Sequence, residues 1–408
     1  MTRYGRSLWV DRFSKSRVPS YPRHKGHLDT DVIIVGGGLT GCATAYAFAA
    51  AGVKVALVEG DRLGQGMGGR STGWIADVPG PSFRRAEQAV GLRAARRGWQ
   101  TWRRAALDFT ALVRRLKLRC EVEPAATLTI ARTPEQAQLL KREVKARKDA
   151  GLDLSALTGR AASSEAAVAG VAATRTRDGA TIDPYHAALG LAKAAAARGA
   201  LVFEHSPVTK IKFGAKAVDV QTRQGTLRGA RVVVATGRPT ALFPSLARHF
   251  WSRSVFVVVT EPIHAKMRKT LAPPGRVIVD CAVPPHLIRW VDDDRLLVVG
   301  ADSAAVSDRL RDKTVVQRTG QLMYELSTLY PDISGIAPAY GWEVGYGRTS
   351  DDLPYVGPHR NYPRHLFAFG CASHSVTDAY LASRILLRHH LEQSDPADEV
   401  FGFTTSRL

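Results

Sequence analysis

Apolar and polar positions change period several times along the chain, and each change marks an element. Residues 1–28 hold no sustained period. Pro19 and Pro22 prevent regular structure there, so the segment reads as an arm, with Trp9, Phe13 and Tyr21 available to dock on the body. At Asp29 the pattern becomes sharply apolar. Residues 32–35 are wholly apolar and β-branched, as a strand buried on both faces requires. The Ala-rich run 42–51 reads as a helix ended by Gly52, and 53–58 as a second strand. Together they make one βαβ unit.

Further along, residues 84–119 read as one long basic helix with apolar positions at Val90, Leu92, Trp99, Trp102, Leu107, Phe109 and Leu112. Residues 134–150 read as a more polar helix. Asp183 before Pro184 is a helix start, a capping side chain followed by proline at the first helical position; that helix runs to Gly199. Short strands are expected at 201–205, 208–213, 217–222 and 231–235, and a second β-rich stretch at about 251–300. Within it, 287–291 and 296–299 flank Asp292-Asp293-Asp294-Arg295 as a hairpin. Helices are expected at 314–329 and 376–391.

With 408 residues, 45% of them hydrophobic and 23% charged, the chain can build a large core or two intimate domains. The net charge of +20 attracts anions, and it concentrates in the arm and in 84–119. A solvated basic surface accounts for it, since no nucleic-acid-binding signature accompanies the charge; contact with anionic partners stays open. The four cysteines, Cys42, Cys120, Cys281 and Cys371, lie far apart without metal-type spacing, which fits free thiols and a cytoplasmic location. No run of 18 apolar residues occurs, so no membrane span is expected.

The strongest chemical signal is Gly36-Gly37-Gly38-Leu39-Thr40-Gly41 between strand and helix. Gly36 suits a tight turn, Gly38 a close approach of a pyrophosphate, and Gly41 close packing of helix on strand. The helix N-terminus then presents free N–H groups and a positive dipole end to phosphates. Glu59 ends the second strand; its carboxylate suits a ribose diol and would repel a 2′-phosphate. A second glycine-rich loop follows, Gly64-Gln65-Gly66-Met67-Gly68-Gly69-Arg70-Ser71-Thr72-Gly73, where a large cofactor would lie close to the backbone.

At this loop the chain resembles the D-amino-acid oxidase/glycine oxidase (DAO) family of FAD oxidoreductases, with Gly68 where Ser is common and Ser71 where Asn is common. The resemblance continues through Asp183-Pro184-Tyr185, Val208, the strand end Val232-Val233-Val234-Ala235-Thr236-Gly237, the stretch 349–357 with Asp351 and Asp352, and Gly370-Cys371-Ala372-Ser373-His374-Ser375-Val376 before the last helix. Ser375 stands where Gly is usual.

The resemblance implies an α/β fold: a Rossmann-like FAD-binding domain of the GR2 type with an inserted α+β substrate domain. The FAD-binding pieces would be 29–83, 160–250 and 340–395, the substrate or cap pieces 84–159 and 251–339, with an arm at 1–28 and a tail at 396–408. It implies FAD contacts at Gly36, Gly38, Leu39, Thr40, Gly41, Glu59, Gly66, Gly69, Arg70, Ser71, Val208, Thr236, Gly237, Gly370, Ser373, His374 and Val376. It also implies hydride transfer from a C–H beside nitrogen to flavin N5, giving an imine that hydrolyses. His374 is the candidate beside the flavin ring. Arg289 or Arg348 would hold a substrate carboxylate, and Trp342 and Tyr346 are candidates for lining the pocket. No metal set is evident. Members with covalent flavin carry a Cys just before the 349–357 stretch; residues 345–348 have none, so non-covalent FAD is expected. Some oxygen-using members place a Lys in the strand matching 296–299. Val298 stands there, which leaves oxygen or a quinone as acceptor. The alternatives are an FAD-containing RNA-modification component and a non-catalytic flavin-binding subunit.

Overall fold

The apolar run after Asp29 forms the middle of a mostly parallel sheet. This computed structural model describes residues 1–13, 18–80, 82–370, 375–404 and 407. Strands Leu201–Phe203, Val55–Val58, Gly26–Val35 and Gly225–Gly237 lie side by side and parallel. Strand Gly225–Gly237 has two partners on its other edge. Residues 226–229 pair antiparallel with Val218–Thr222, and 232–237 pair parallel with Tyr362–Phe369. Strands Val208–Phe213 and Tyr355–His359 extend it. Val32, Ile33, Ile34, Val232 and Val233 have no exposed surface, which is why their sequence shows no alternation. The arm is more ordered than its prolines suggest: Arg3–Tyr4 is a short strand and Leu8–Asp11 a helical turn.

Helix Leu39–Ala50 packs between Pro184–Ala196 and Thr377–His390 and is buried on nearly all sides. Its Ala and Gly side chains permit that close approach. Asp183 caps its helix as expected, accepting from the N–H groups of Tyr185 and His186. The basic stretch breaks into Phe83–Val90 and Leu92–Arg115 at Gly91, whose φ of +82° suits glycine alone. Trp99, Trp102, Phe109 and Leu112 are buried, whereas Leu92 and Leu107 are exposed.

A second sheet of nine strands faces the first layer. Its order is Arg3–Tyr4, Pro338–Arg348, Trp251–Thr260, Arg295–Ala304, Leu287–Val291, Arg276–Asp280, Ala126–Ala131, Ala172–Thr176 and Ser155–Thr158. It thus takes in 172–176 and 338–348, residues that the sequence division assigns largely to the cofactor-binding pieces. The expected hairpin is present, with Leu287 opposite Val299 and Val291 opposite Arg295.

Alternation sorts this sheet's faces. Leu128, Val258, Ile278, Ile288 and Val298 pack on Val315, Leu322 and Leu326 of helix Arg311–Leu329. Val255, Val257, Leu297, Val299 and Trp342 join the main core on the other face. Val298 therefore points away from the layer that carries the glycine loops, and the residues of this strand that face it are Leu297 and Val299. Among the described residues, no helix is long and apolar enough to cross a membrane.

Candidate active site

Gly36 sits where strand Gly26–Val35 ends. Its φ is +107°, and a Cβ there would lie 2.7 Å from the Ala235 carbonyl oxygen. A Cβ on Gly41 would fall 1.8 Å from the Gly36 oxygen, so the helix approaches the turn as closely as backbone permits. A Cβ on Gly38 or Gly66 would meet nothing within 4 Å; open space lies over both. Leu39 and Thr40, in the first turn of that helix, are buried. The Glu59 carboxylate accepts from Gly37 N at 2.6 Å and from Asp61 N at 2.8 Å. With Gly36, Val208 and Thr236 it lines a cleft of about 380 Å³. Gly237, at φ +74°, is covered by the Met67 side chain.

The second glycine loop is locked from outside. Gly64 N donates to Gly37 O at 2.8 Å, and Gly69 packs on the Gly64 carbonyl. The carbonyls of Gly69, Arg70, Ser71, Thr72 and Gly73 accept in turn from Ser7 Oγ, Trp342 Nε1, Trp9 Nε1, Arg289 Nε and Ile182 N, at 2.6, 2.8, 2.9, 2.9 and 2.8 Å. The Arg70 side chain turns toward the arm, where it lines a cavity of about 550 Å³ with Arg6, Arg62 and Tyr185. Burial holds its guanidinium below the usual arginine range, with Arg311 adding to the effect.

Gly370 and Val376 are both anchored. Gly370 N donates to Gly237 O at 2.8 Å and Val376 N to Trp74 O at 2.8 Å. Cys371, Ser373 and His374 lie outside the described residues. Ser375, in place of glycine, uses its hydroxyl: Oγ accepts from Ala76 N at 3.1 Å and donates to Thr377 Oγ1 at 3.0 Å.

A cavity of about 540 Å³ is lined by Trp74, Arg253, Asp302, Tyr346, Arg348 and Gly370 among others. A more apolar chamber of about 430 Å³ shares Trp74 and Asp302 with it and reaches Leu287 and Val299. Two charged groups face the first cavity. Tyr346 donates its hydroxyl to Asp302 Oδ2 at 2.6 Å, and Arg253 pairs with Asp302 Oδ1 at 2.9 Å. Burial, followed by the bond to Asp302, pushes the Tyr346 phenol upward, so it stays protonated. Arg348 grips Asp352 with two bonds, Nε to Oδ1 at 2.6 Å and an Nη to Oδ2 at 3.1 Å, and Arg85 reaches the same carboxylate at 2.9 Å. The bond to Asp352 raises the Arg348 pKa.

Arg289 stands elsewhere. It is 4% exposed, lines neither cavity, and spends its donors on the carbonyls of Thr72, Trp290 and Ile182. Burial pulls it down to about 9. The reason for the misplacement is the closeness of strand Leu287–Val291 to the second glycine loop, which no local pattern encodes. Trp342 likewise lies under the loop, not in the cavity lining. Arg85, Arg253 and Asp302 were not singled out from sequence. Strict alternation would put Asp302 on the same face as Val298. A register shift opposite residues 254–256, with Ala301 at φ +53°, turns Asp302 toward the cavity and sends Ala301 to the other face.

These residues fit the FAD that the resemblance implies. The buried Ser71 Oγ and Trp74 Nε1 have no hydrogen-bond partner among the described residues, and such atoms in a native core call for a partner from outside the chain. Gly38 leaves the N-terminus of helix Leu39–Ala50 open to an anion.

Comparison with known proteins agrees. The chain is 27% identical over 376 residues to gamma-glutamylputrescine oxidoreductase of Escherichia coli K12, covering 90% of this chain and 85% of that one. It is 26% identical over 394 residues to glycine oxidase of Geobacillus kaustophilus, covering 92% and 97%. The crystal structure of glycine oxidase from Geobacillus kaustophilus superposes with a TM-score of 0.72 at 20% identity, over 93% of this chain and 99% of that one. L-Amino acid deaminase from Proteus myxofaciens shares the fold with a TM-score of 0.74 at 14% identity, covering 99% of both chains. The pattern of the family described as FAD dependent oxidoreductase matches residues 31–388, and the chain belongs to that family.

Proposed function

We propose that this FAD-dependent oxidoreductase oxidises a carbon–nitrogen bond of a small amine or amino acid. The observation that carries the proposal is the pair of charged groups, Arg253–Asp302–Tyr346 and Arg85–Asp352–Arg348, facing a cavity that Gly370 and Ser375 also line. Relatives named for glycine and for gamma-glutamylputrescine support it.

FAD would be held non-covalently. Gly36, Gly38, Leu39, Thr40 and Gly41 would receive the pyrophosphate, Glu59 the ribose, and Val208 the adenine. Thr236, Gly237, Gly66, Gly69, Ser71, Gly370 and Val376 would line the rest, with Ser373 and His374 expected nearby. Arg70 would contribute through its backbone, since its side chain points to the arm. Bound FAD supplies the hydride acceptor.

The chain's own residues bind and orient. Arg85 and Arg348 share the single carboxylate of Asp352, which leaves one positive charge for a substrate carboxylate. Asp302, fixed by Tyr346 and Arg253, receives the substrate nitrogen and can take its proton. Trp74, Leu287 and Val299 exclude water from the apolar chamber, which suits a side chain or second N-substituent. Leu297 and Val299, not a lysine, face the cofactor layer from their strand, and the acceptor would be oxygen or a quinone.

The test is spectroscopic. Oxidised flavin absorbance is followed without oxygen while amines and amino acids are added. Bleaching by one class supports the proposal and names the class. A flavin-loaded protein that no member of a broad panel bleaches would refute it.

A further inference from the structure

The N-terminal arm is docked with a specificity that mere surface packing does not require. Its strand Arg3–Tyr4 adds in parallel to the edge of the nine-stranded sheet at Tyr340 and Gly341, and Gly5 N donates to Gly341 O at 2.8 Å. This places the turn Leu8–Asp11 directly on the second glycine loop. Ser7, 3% exposed, caps that turn and also donates Oγ to Gly69 O at 2.6 Å. Trp9, 1% exposed, donates Nε1 to Ser71 O at 2.9 Å. The Trp9 ring is itself held, with the guanidinium carbons of Arg12 and Arg289 at 5.4 and 5.2 Å from its centroid. Arg12 is tied to the body through Glu121 and Asp292.

Two of the five donors that fix the consecutive carbonyls of the cofactor loop therefore belong to the arm. The central carbonyl, Ser71 O, is on a residue that is 3% exposed and whose buried hydroxyl lacks a protein partner among the described residues. A residue whose carbonyl is pinned has lost most of its freedom to rotate about the neighbouring backbone bonds, so its side chain is aimed as well.

We propose that the arm is part of the cofactor site: Ser7 and Trp9 are positioning residues that hold the second glycine loop and present the Ser71 hydroxyl to FAD. The inference rests on FAD binding by the family and goes beyond the oxidation proposed above. It does not depend on which substrate is oxidised.

The experiment measures the FAD dissociation constant of the full chain, by flavin fluorescence, with visible circular dichroism of the bound flavin as a second readout. Trp9→Phe keeps an aromatic ring, though a smaller one, and removes the N–H donor. Loss of one buried hydrogen bond is expected to weaken FAD about tenfold. Ser7→Ala, a small change that spares the fold if Trp9→Phe does not, is expected to weaken it about fivefold. On a Ser71→Ala background the effect of Trp9→Phe should shrink below about threefold, because its target is gone. Arg3→Ala, which touches the arm but not the loop, should leave FAD affinity unchanged. Wild-type affinity retained in both Ser7→Ala and Trp9→Phe would overturn the proposal. So would an undiminished Trp9→Phe effect without the Ser71 hydroxyl, or an equal loss in Arg3→Ala. Failure of the wild-type chain to bind FAD would instead remove the functional reading itself.

Discussion

Tyr346 donates its hydroxyl to Asp302 at 2.6 Å across two strands that strand Trp251–Thr260 separates in the sheet, and the bond fixes the only carboxylate shared by the two cavities' described linings. If Asp302 receives the substrate nitrogen, its direction matters as much as its charge. Tyr346→Phe should lower kcat/KM about tenfold and Asp302→Asn about a hundredfold or more, with FAD affinity retained in both. Steady-state kinetics on flavin-loaded protein checks this.

Arg348 should discriminate between substrate classes. Arg348→Met removes the bidentate grip on Asp352 and one of two cations near it. KM for a carboxylate-bearing substrate should rise about 10–100-fold, while amines without a carboxylate change little. Equal losses for both classes would show that Arg348 supports the fold of the 348–352 turn and does not bind substrate.

His286 closes the far end of the apolar chamber. Its Nδ1 meets Asp280 at 2.7 Å and its Nε2 meets Glu325 at 2.9 Å. The bond to Asp280 dominates and lifts the imidazole from its ordinary 6.5 to about 9 against the opposing effect of burial. A folded-state pKa raised above the unfolded value stabilises the protein fully below pH 6.5 and is lost as pH rises through about 9. The gain is on the order of 1–3 kcal/mol. Thermal melts of wild type and His286→Gln should differ at pH 6 and converge above about pH 9; a constant difference would contradict this linkage.

Gly41→Ala should abolish flavin binding. Its Cβ would sit 1.8 Å from the Gly36 oxygen, and only movement of the helix or the turn relieves that. The purified variant should be colourless, with a melting temperature several degrees lower. Glu59→Gln is milder. It keeps one acceptor for Gly37 or Asp61 N–H, turns the other position into a donor and loses the charge, so FAD affinity should fall about tenfold.

Much of the cofactor layer was legible before any coordinates, for a physical reason. Gly36 needs positive φ, Gly41 needs a missing Cβ, and Asp183 needs only the next three residues to cap its helix. These are local demands on the backbone, and residue type answers them directly. The buried parallel strands announced themselves in the same way, since a strand covered on both faces cannot alternate. Even the break at Gly91, which the apolar period hides, lies at a residue chosen for its φ of +82°.

The substrate side obeyed no such local rule. Arg289 looked suited to a carboxylate, yet its donors close on the backbone of a loop 217 positions away in sequence. Val298 and Asp302 share a strand, and which face each presents depends on one extra residue at Ala301. A shift of one residue reverses every side chain beyond it. Whether the arm dangles or clamps was also undecided, because its few buried residues acquire partners only when the sheet edge at Tyr340 and the loop at Gly69–Ser71 come together. The amino-acid sequence thus determined the nucleotide-binding backbone, through short-range steric and capping requirements, while FAD as the cofactor came from the family resemblance. Tertiary structure decided which charges meet in the cavity, because register and long-range packing aim those side chains.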